Sequence, residues 1–292
     1  MAVEEQRLPG DGIELHVVTA GPTSGRPVIL LHGFPDFWYG WRHQVDALAA
    51  RGLRLIMPDQ RGYGGSDKPV EVAAYDISRL CGDVLALMDA LGHRRASLVG
   101  HDFGGAVAWW IAAHHPERVE RLVVLNCPHY AVYRRAHLGL GQLARSWYVG
   151  GLVVPGLAEV ACRAHHFEAL IRLGPGTREG GMRDEDVPVY RAAWAQPGAV
   201  HGMVAWYRAM IPALFRRFRR RRIAAPTLLL WGKRDPFLSC AMARPSIALC
   251  EHGKLVMLDD ATHWLHWDAP AHVNRLIGDW LADSPSPEAP RE

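Results

Sequence analysis

The chain has 292 residues, of which 49% are hydrophobic and 22% are charged, and its formal net charge at pH 7 is +3. This length and composition are typical of a globular enzyme domain that carries an insertion. The net charge is too small to indicate a surface that binds nucleic acid or a membrane. We therefore expect neither as a partner.

The cysteines and the N-terminal residues indicate a cellular compartment. The five cysteines are an odd number and include no C-x-x-C pair, which favours reduced thiols over a disulfide framework or a zinc site. The first residues, MAVEEQ, are acidic and lack the apolar stretch of a signal peptide. No apolar run approaches the ~18 to 20 residues of a membrane span. We expect a cytoplasmic protein.

Short apolar runs alternate with helical patterns along the chain. Residues 13–19 alternate in polarity like an edge strand, and six continuous apolar runs follow at 28–31, 53–57, 97–99, 122–125, 227–231 and 255–258. Such runs are typical of strands buried on both faces. Helical spacing appears at 41–50, 77–91, 103–115 and 271–281. This order predicts an α/β protein with a mostly parallel sheet.

The strand pattern stops between Asn126 and about Arg222, where helical patterns and a Gly-rich loop at 174–181 occur. We interpret this stretch as a helical lid over the carboxyl edge of the sheet, where open α/β sheets bind ligands. The predicted division is a core in two parts, 1–129 and 223–283, a cap at 130–222 and a disordered tail at 284–292. The basic run at 216–222 is interpreted as a solvated connector.

A sharp turn between a strand and a helix is predicted at Gly100-His101-Asp102-Phe103-Gly104. It has the pattern of the G-x-S-x-G nucleophile elbow, with Asp102 in place of serine. One interpretation is that Asp102 caps the helix. The other is that Asp102 is a nucleophile for saturated carbon, because attack on an epoxide or a halide carbon gives an ester that water can cleave, whereas attack on a carbonyl gives an anhydride.

Four further segments follow predicted strands: HGFPDFWY from His32, DQRGYGGSD from Asp59, WGKRD ending at Asp235, and DATHW containing His263. The order nucleophile, acid, histidine is that of the α/β-hydrolases. With the G-H-D-x-G-G elbow, these segments closely resemble the epoxide hydrolases of that fold over nearly the whole chain. The resemblance implies an α/β-hydrolase fold, with a mostly parallel eight-stranded sheet and a helical cap.

Two cap segments resemble those that carry the lid tyrosines of epoxide hydrolases. They are SWY, ending at Tyr148, and AWYR, containing Tyr207. Two phenols could protonate the epoxide oxygen, and a positioned acid contributes roughly 10²- to 10⁴-fold in rate. The alternative is that each Trp-Tyr pair only packs the lid. A halide leaving group needs no proton, so a dehalogenase has no use for these phenols.

Haloalkane and haloacetate dehalogenases use the same aspartate nucleophile and are the main alternative. In that fold, a Trp after the nucleophile or an Asn in the H-G motif holds halide, and an Arg after the nucleophile holds the haloacetate carboxylate. Here those positions are Phe103 and Phe34, whose side chains donate no hydrogen bond. A remote alternative is an inactive ligand-binding protein, which the filled catalytic positions disfavour.

The resemblance implies a mechanism in two steps. Asp102 attacks the epoxide carbon while Tyr148 and Tyr207 donate to the ring oxygen, and His263, supported by Asp235, then activates water to hydrolyse the ester. The expected partners are a small apolar epoxide and water. No cofactor and no metal are expected, and we expect a monomer or a homodimer.

Residues around this machinery have expected roles too. The backbone N–H groups of Phe34 and Phe103 are expected to form the oxyanion hole, and the side chains of Phe34, Trp38 and Phe103 to line an apolar pocket. His32, Gly33 and Pro35 are expected to support the H-G-x-P loop. Thr262 stands where the family often has glycine. His266 is a second, less favoured candidate for the base.

Overall fold

An eight-stranded sheet forms the centre of the molecule, in a computed structural model that describes residues 3–136, 139–164, 167–168, 170, 181–215 and 222–282. The strands are β1 (Glu4–Pro9), β2 (Glu14–Ala20), β3 (Arg26–Leu31), β4 (Leu53–Pro58), β5 (Ala96–His101), β6 (Val119–Leu125), β7 (Thr227–Gly232) and β8 (Gly253–Leu258). Their spatial order is β1-β2-β4-β3-β5-β6-β7-β8. Only the β1–β2 and β2–β4 pairs are antiparallel. The predicted mostly parallel eight-stranded sheet is confirmed.

Helices cover both faces of this sheet and fill the insertion. Within the described ranges they are α1 (Arg42–Ala49), α2 (Ile77–Ala90), α3 (Phe103–His114), α4 (Tyr130–Ala136), α5 (Leu140–Arg145), α6 (Trp147–Val153), α7 (Leu157–Ala164), α8 (Asp186–Trp194), α9 (Ala199–Phe215), α10 (Ala243–Ile247), α11 (Leu265–Asp268) and α12 (Pro270–Ala282). Single 3₁₀ turns lie at Trp38–Trp41, Val72–Tyr75, Pro116–Arg118 and Cys240–Met242.

The central strands are buried on both faces, which explains their continuous apolar sequences. In β3, Val28 and Leu30 pack in one apolar cluster while Ile29 and Leu31 pack in the other, because successive side chains of a strand point to opposite faces. Helices α1 and α12 contribute to the first cluster, and α2 and α3 to the second. All five cysteines are free thiols, and only Cys240 is exposed.

The first strand was not located from the sequence. Residues 4–9 read Glu-Glu-Gln-Arg-Leu-Pro, and five of these six residues are exposed. As an edge strand, β1 pairs only with β2. Its stability therefore comes from the ladder hydrogen bonds rather than from buried apolar side chains, so the apolar pattern that located the other strands is missing.

Helices α4 to α9 form the insertion between β6 and β7, which we call the cap. The longest of them, α9, packs against the Val72–Tyr75 turn of the core and against α6 and α7. Most of the Gly-rich loop at 174–181, most of the basic run at 216–222 and the tail at 284–292 lie outside the described residues. The domain boundaries at 129/130 and 222/223 stay a prediction. Among the described helices, none is both long and apolar enough to cross a bilayer.

Candidate active site

The parallel strands bring the sequence motifs to one edge of the sheet. The segments that carry His32, Asp59, Asp102, Asp235 and His263 each follow the carboxyl end of a strand of the same sheet. Since parallel strands share their direction, their carboxyl ends meet at a common edge. The cap lies over this edge, so residues far apart in the sequence come together beneath it.

Asp102 occupies the turn between β5 and α3. Its backbone angles are φ 50° and ψ −120°, which a non-glycine residue adopts only under strain. It stands at the N-cap position of α3, but its side chain makes no capping hydrogen bond. The interpretation of Asp102 as a helix cap is therefore wrong. The turn instead presents the carboxylate to a cavity under the cap, where its side chain remains 20% exposed.

Two carboxylates flank the imidazole of His263. Its Nδ1 lies 2.7 Å from Oδ2 of Asp235, and its Nε2 lies 3.4 Å from Oδ2 of Asp102. Asp235 is fully buried, and its Oδ1 accepts hydrogen bonds from the amides of Phe237 at 2.8 Å and Leu238 at 2.9 Å. Asp235 is thereby held in place, and it orients the ring so that Nε2 faces Asp102.

The charges of this group stabilise one another. Burial alone would raise the pKa of Asp102, but the hydrogen bond and charge of His263 outweigh it and hold that pKa at about 2. Burial would likewise lower the pKa of His263, but the charge of Asp235 and the hydrogen bonds to both carboxylates raise it to about 10. At neutral pH the free site therefore contains an ionised Asp102 beside an imidazolium.

The H-G-x-P loop lies against Asp102. The backbone N–H of Phe34 donates to Oδ1 of Asp102 at 3.1 Å, which places one of the two expected oxyanion-hole donors on the carboxylate. A Cβ on Gly33 would collide with the Cβ of Asp102, so a larger residue at position 33 would push the loop away. Close approach of the backbone is the physical reason for glycine at this position.

The rest of this loop is braced by backbone hydrogen bonds. Nε2 of His32 accepts from the amide of Gln60 at 3.0 Å, and its Nδ1 lies 2.9 Å from the carbonyl of Gly33. Both ring nitrogens are thus engaged by the main chain, and burial lowers the pKa of the ring. The carbonyl of Pro35 accepts from the indole of Trp194 at 2.6 Å, which connects the loop to the cap.

Tyr148 and Tyr207 reach the same cavity from two cap helices, α6 and α9. Their rings are 6.3 Å apart and nearly perpendicular. Burial raises the pKa of both phenols, and the charge of Asp102 raises it further. Both hydroxyls therefore keep their protons at neutral pH and are available as donors.

Aromatic rings hold Tyr207 in position. Its ring packs edge-on against Phe103 at 4.7 Å and Phe34 at 5.1 Å, as measured between ring centroids. Trp206, the residue before it, donates its indole N–H to the carbonyl of Arg61 at 2.9 Å. That indole is therefore bonded to the core, while the hydroxyl of Tyr207 forms a hydrogen bond with that of Tyr148.

The cavity over Asp102 has a volume of about 160 Å³ and a mainly apolar lining. The lining residues are Tyr75, Ile77, Leu80, Asp102, Phe103, Ala106, Trp110, Cys127, Pro128, Tyr130, Tyr133, Arg134, Tyr148, Trp206, Tyr207, Ala209, Met210 and Leu238. Phe103 is among them, but Phe34 and Trp38 are not, which corrects the expectation for these two side chains. The ring of Phe34 packs edge-on against Tyr207, and the ring of Trp38 packs on Phe37 and Tyr39.

His266 is not placed to act as the base. Its ring is buried against Trp41 and His101, with centroid distances of 4.9 Å and 4.6 Å. Burial lowers its pKa well below the ordinary value. Neither histidine is among the cavity-lining residues, but Nε2 of His263 lies 3.4 Å from Oδ2 of Asp102.

Three supporting residues had no clear signal in the sequence. Asn126, with φ 42°, accepts from the amide of Gly232 and donates to the carbonyl of Thr262, both at 2.7 Å, and so ties three strand ends together. Phe237 packs against both His263 and Tyr148. Tyr133 lines the cavity. The position of Asn126 at a strand end was the only available hint.

Thr262, the departure from the family pattern, stabilises the histidine loop. Its amide and its hydroxyl both donate to Oδ2 of Asp268, each at 2.6 Å. The side chain of Thr262 thus supplies a hydrogen bond that glycine lacks. In the described part of the chain, no group of three or more His, Cys, Asp or Glu side chains is arranged to hold a metal ion.

Comparison with known proteins agrees with this geometry. Residues 26–147 match a family described as alpha/beta hydrolase fold. The chain is 38% identical over 281 residues to the AB hydrolase superfamily protein YfhM of Bacillus subtilis, covering 96% of this chain and 98% of that protein. It is 35% identical over 285 residues to Epoxide hydrolase 4 of Mus musculus, covering 95% of this chain and 79% of that protein.

A solved structure extends the likeness to the fold. It is a crystal structure of a mutant epoxide hydrolase from Bacillus megaterium in complex with its product (R)-3-[1]naphthyloxy-propane-1,2-diol. The TM-score is 0.87 at 27% sequence identity, with 95% of this chain and 100% of that chain covered.

Proposed function

Since this chain belongs to the epoxide hydrolases of the α/β-hydrolase fold, we infer that it hydrolyses an epoxide to a vicinal diol through a covalent aspartyl ester. The observation that carries this inference is that the carboxylate of Asp102 and the protonated phenols of Tyr148 and Tyr207 line the same cavity. A displacement that opens a strained ring needs a nucleophile and acids together. Asp102, Tyr148 and Tyr207 are the residues that we assign to these roles.

In the first step, Oδ2 of Asp102 attacks a ring carbon. A carbon–oxygen bond forms, the ring carbon–oxygen bond breaks, and its electron pair goes to the ring oxygen, which takes a proton from Tyr148 or Tyr207. Burial makes these phenols weaker acids, but an alkoxide is a far stronger base than a phenolate, so the transfer is still favourable. The Phe34 N–H, already bonded to Oδ1, holds the other carboxylate oxygen.

Ester formation changes the state of the base. It removes the negative charge of Asp102, which is one of the interactions that raise the pKa of His263. The pKa of His263 therefore falls in the ester. The proton that the ring gives up restores the tyrosinate left by the first step, and the neutral ring then accepts a proton from water. The hydroxide that forms attacks the ester carbonyl, and the oxyanion on Oδ1 stays in contact with the Phe34 N–H. Collapse of the tetrahedral intermediate breaks the bond between the carbonyl carbon and the substrate oxygen. That oxygen takes the proton of the newly formed carboxylic acid, so the diol leaves and ionised Asp102 is restored.

Halide displacement is the less favoured function. Phe103 and Phe34 stand beside the nucleophile and have no side-chain donor for a halide. The indole of Trp206 is engaged by the carbonyl of Arg61. The lid phenols, in contrast, have a use only where the leaving group needs a proton.

The lining of the cavity indicates the class of substrate. Aromatic and aliphatic side chains surround Asp102, so the substrate is a small apolar epoxide, with water as the second reactant. The rings of Trp110, Tyr130 and Tyr133 favour substrates with an aromatic group. The product bound to the Bacillus megaterium enzyme carries such a group. A cytoplasmic location and a monomeric or homodimeric state stay predictions.

A substrate screen tests the function directly. Purified enzyme is incubated with styrene oxide, alkyl epoxides of increasing length and haloalkanes, and diol and halide are both quantified. We expect diol from the epoxides, with aryl epoxides preferred, and no halide release above that of the Asp102→Asn variant. Halide release without diol formation would replace epoxide hydrolysis by dehalogenation.

The two phenols are expected to act as alternative proton donors. Tyr148→Phe and Tyr207→Phe should each slow ester formation by about 10- to 100-fold, and the double variant should be nearly inactive on epoxides. Ester formation is measured by rapid quenching and intact mass spectrometry in single-turnover experiments. Tyr39→Phe, which alters a half-buried phenol outside the cavity lining, is the matched control. A double variant that keeps most of its activity would reduce the phenols to packing residues.

A further inference from the structure

A single arginine connects the two cap helices that carry the lid tyrosines. Arg208 follows Tyr207 in α9, and its guanidinium reaches the end of α6, the helix of Tyr148. Nε donates to the carbonyl of Val153 and Nη2 to that of Val154, each at 3.3 Å. These carbonyls stand at the C-terminus of α6, where a helix leaves acceptors without intrahelical partners.

The same guanidinium forms an ion pair with α7. Nη1 and Nη2 of Arg208 donate to the two carboxylate oxygens of Glu159, at 2.9 Å and 3.2 Å. The side chains are only 10% and 15% exposed, so the pair is shielded from solvent. Burial would raise the pKa of Glu159, but Arg208 holds it below its ordinary value. The planar guanidinium of Arg208 donates at once to two carboxylate oxygens and two backbone carbonyls. A lysine ammonium cannot reproduce this fixed geometry.

Two residues of α9, Gly202 and Trp206, contact the core. Gly202 lies so close to the loop after β4 that a Cβ there would come within 2.5 Å of the carbonyl oxygen of Gly62. One turn further on, the indole of Trp206 is bonded to the carbonyl of Arg61. These contacts fix the height of α9, and with it Tyr207, above Asp102. The contacts of Arg208 then connect α6 to a helix whose position is already set.

We propose that Arg208 is a positioning residue which, by tying the C-terminus of α6 and Glu159 of α7 to α9, sets the separation of the two phenols over Asp102. This inference rests on the proposed proton-donor role of Tyr148 and Tyr207. Without the guanidinium, the two carbonyls and the carboxylate lose their shared partner, and α6 can shift relative to α9. A displacement of about 1 Å at a reacting group can cost about 10²-fold in rate.

The experiment compares the two chemical steps in a set of variants of the full chain. Arg208→Met removes the guanidinium and keeps much of its length, Arg208→Lys keeps the charge without the fork, and Glu159→Gln removes the charge of the partner. Arg183→Met is the matched control, because Arg183 forms an exposed cap ion pair with Glu185. Rates of ester formation and ester hydrolysis are measured with styrene oxide by rapid quenching and intact mass spectrometry, and Tm is recorded alongside.

We expect Arg208→Met to slow ester formation by about 10- to 100-fold per folded active site while ester hydrolysis changes by less than about threefold. Arg208→Lys and Glu159→Gln should lie between Arg208→Met and the unaltered enzyme, and Arg183→Met should match the unaltered enzyme in both steps. A merely structural role would lower Tm without slowing ester formation per folded active site, or would slow both steps equally. Either result would overturn the proposal, as would unchanged ester formation in all three variants. If Arg208→Met does not fold, the proposal is tested with Arg208→Lys and Glu159→Gln, which should slow ester formation more than ester hydrolysis.

A second comparison tests whether Arg208 acts through the phenols. In the Tyr207→Phe background, one of the two groups that Arg208 positions is already absent, so Arg208→Met should cost clearly less than in the unaltered enzyme. An equal cost in both backgrounds would mean that Arg208 acts independently and would contradict the proposal. If instead Tyr148→Phe and Tyr207→Phe have no effect at all, their proton-donor role fails first. Failure of the proposed function itself is seen separately, as the absence of diol in the substrate screen.

Discussion

Replacement of Asp102 by asparagine is expected to lower turnover of epoxides by at least roughly 10⁴-fold, because the amide has almost the same shape but is not a nucleophile. The fold should persist, since Asp235 still pairs with His263 at 2.7 Å and the Phe34 N–H still has an acceptor. Activity is measured as diol formation, with Tm and intact mass as checks on folding and on the identity of the variant.

Isotope labelling identifies the carbon at which water attacks. In a single turnover in ¹⁸O-water, hydrolysis of an ester at the enzyme's own carbonyl places label in the carboxylate of Asp102. Peptide mass spectrometry of the elbow peptide detects it. Label found only in the diol during the first turnover would mean direct attack of water on the epoxide, and Asp102 would then not be the nucleophile.

The second large effect is expected for His263→Gln, which should react once and then stop. Ester formation requires an ionised Asp102 and acids at the epoxide oxygen, whereas ester hydrolysis requires a base beside the ester. Glutamine cannot accept the proton of water, so the ester should accumulate. Intact mass spectrometry should show this variant with the added mass of one epoxide, while Asp102→Asn shows none.

The pH dependence of the unaltered enzyme gives an independent check on the base. Asp102, with a pKa of about 2, stays ionised at pH 5, so ester formation should continue. His263 must be neutral to act on water, and its pKa is raised in the free site, so acid keeps it protonated and slows hydrolysis. The ester should therefore accumulate as the pH falls and disappear as it rises.

Two results would contradict the assignment of His263 as the base. They are normal turnover of His263→Gln and accumulation of ester only in His266→Gln.

Much of the core could be predicted from local patterns. The strands buried on both faces are continuous apolar runs, and the predicted run 122–125 lies inside β6, which begins three residues earlier. The predicted helix 77–91 matches α2 to within one residue. The exposed β1 was not found, because an edge strand with polar side chains has no apolar pattern. Local propensity and periodicity carry the information for the buried elements only.

Asp102, Asp235 and His263 were identified as a group by their chain order and by the resemblance of their segments to those of the epoxide hydrolases. Each also follows a predicted strand, and parallel strands place their carboxyl ends at one edge, which agrees with this grouping. The cap allowed no such argument. Tyr148 and Tyr207 were found by resemblance, and the pocket role expected for Trp38 was wrong, because its ring packs on Phe37 and Tyr39 away from the cavity.

The order of the buried strands, the sharp turn at Asp102 and the identity of its two partners could thus be predicted from sequence patterns and resemblance, since they depend on local periodicity and on motifs that follow strands. The height of α9 above the core, the connection made by Arg208 to α6 and α7, and the bracing of the histidine loop by Asn126 became apparent only in three dimensions. These features depend on hydrogen bonds between side chains and backbone carbonyls that lie far apart in the chain. Neither hydrophobic periodicity nor motif spacing encodes such pairs.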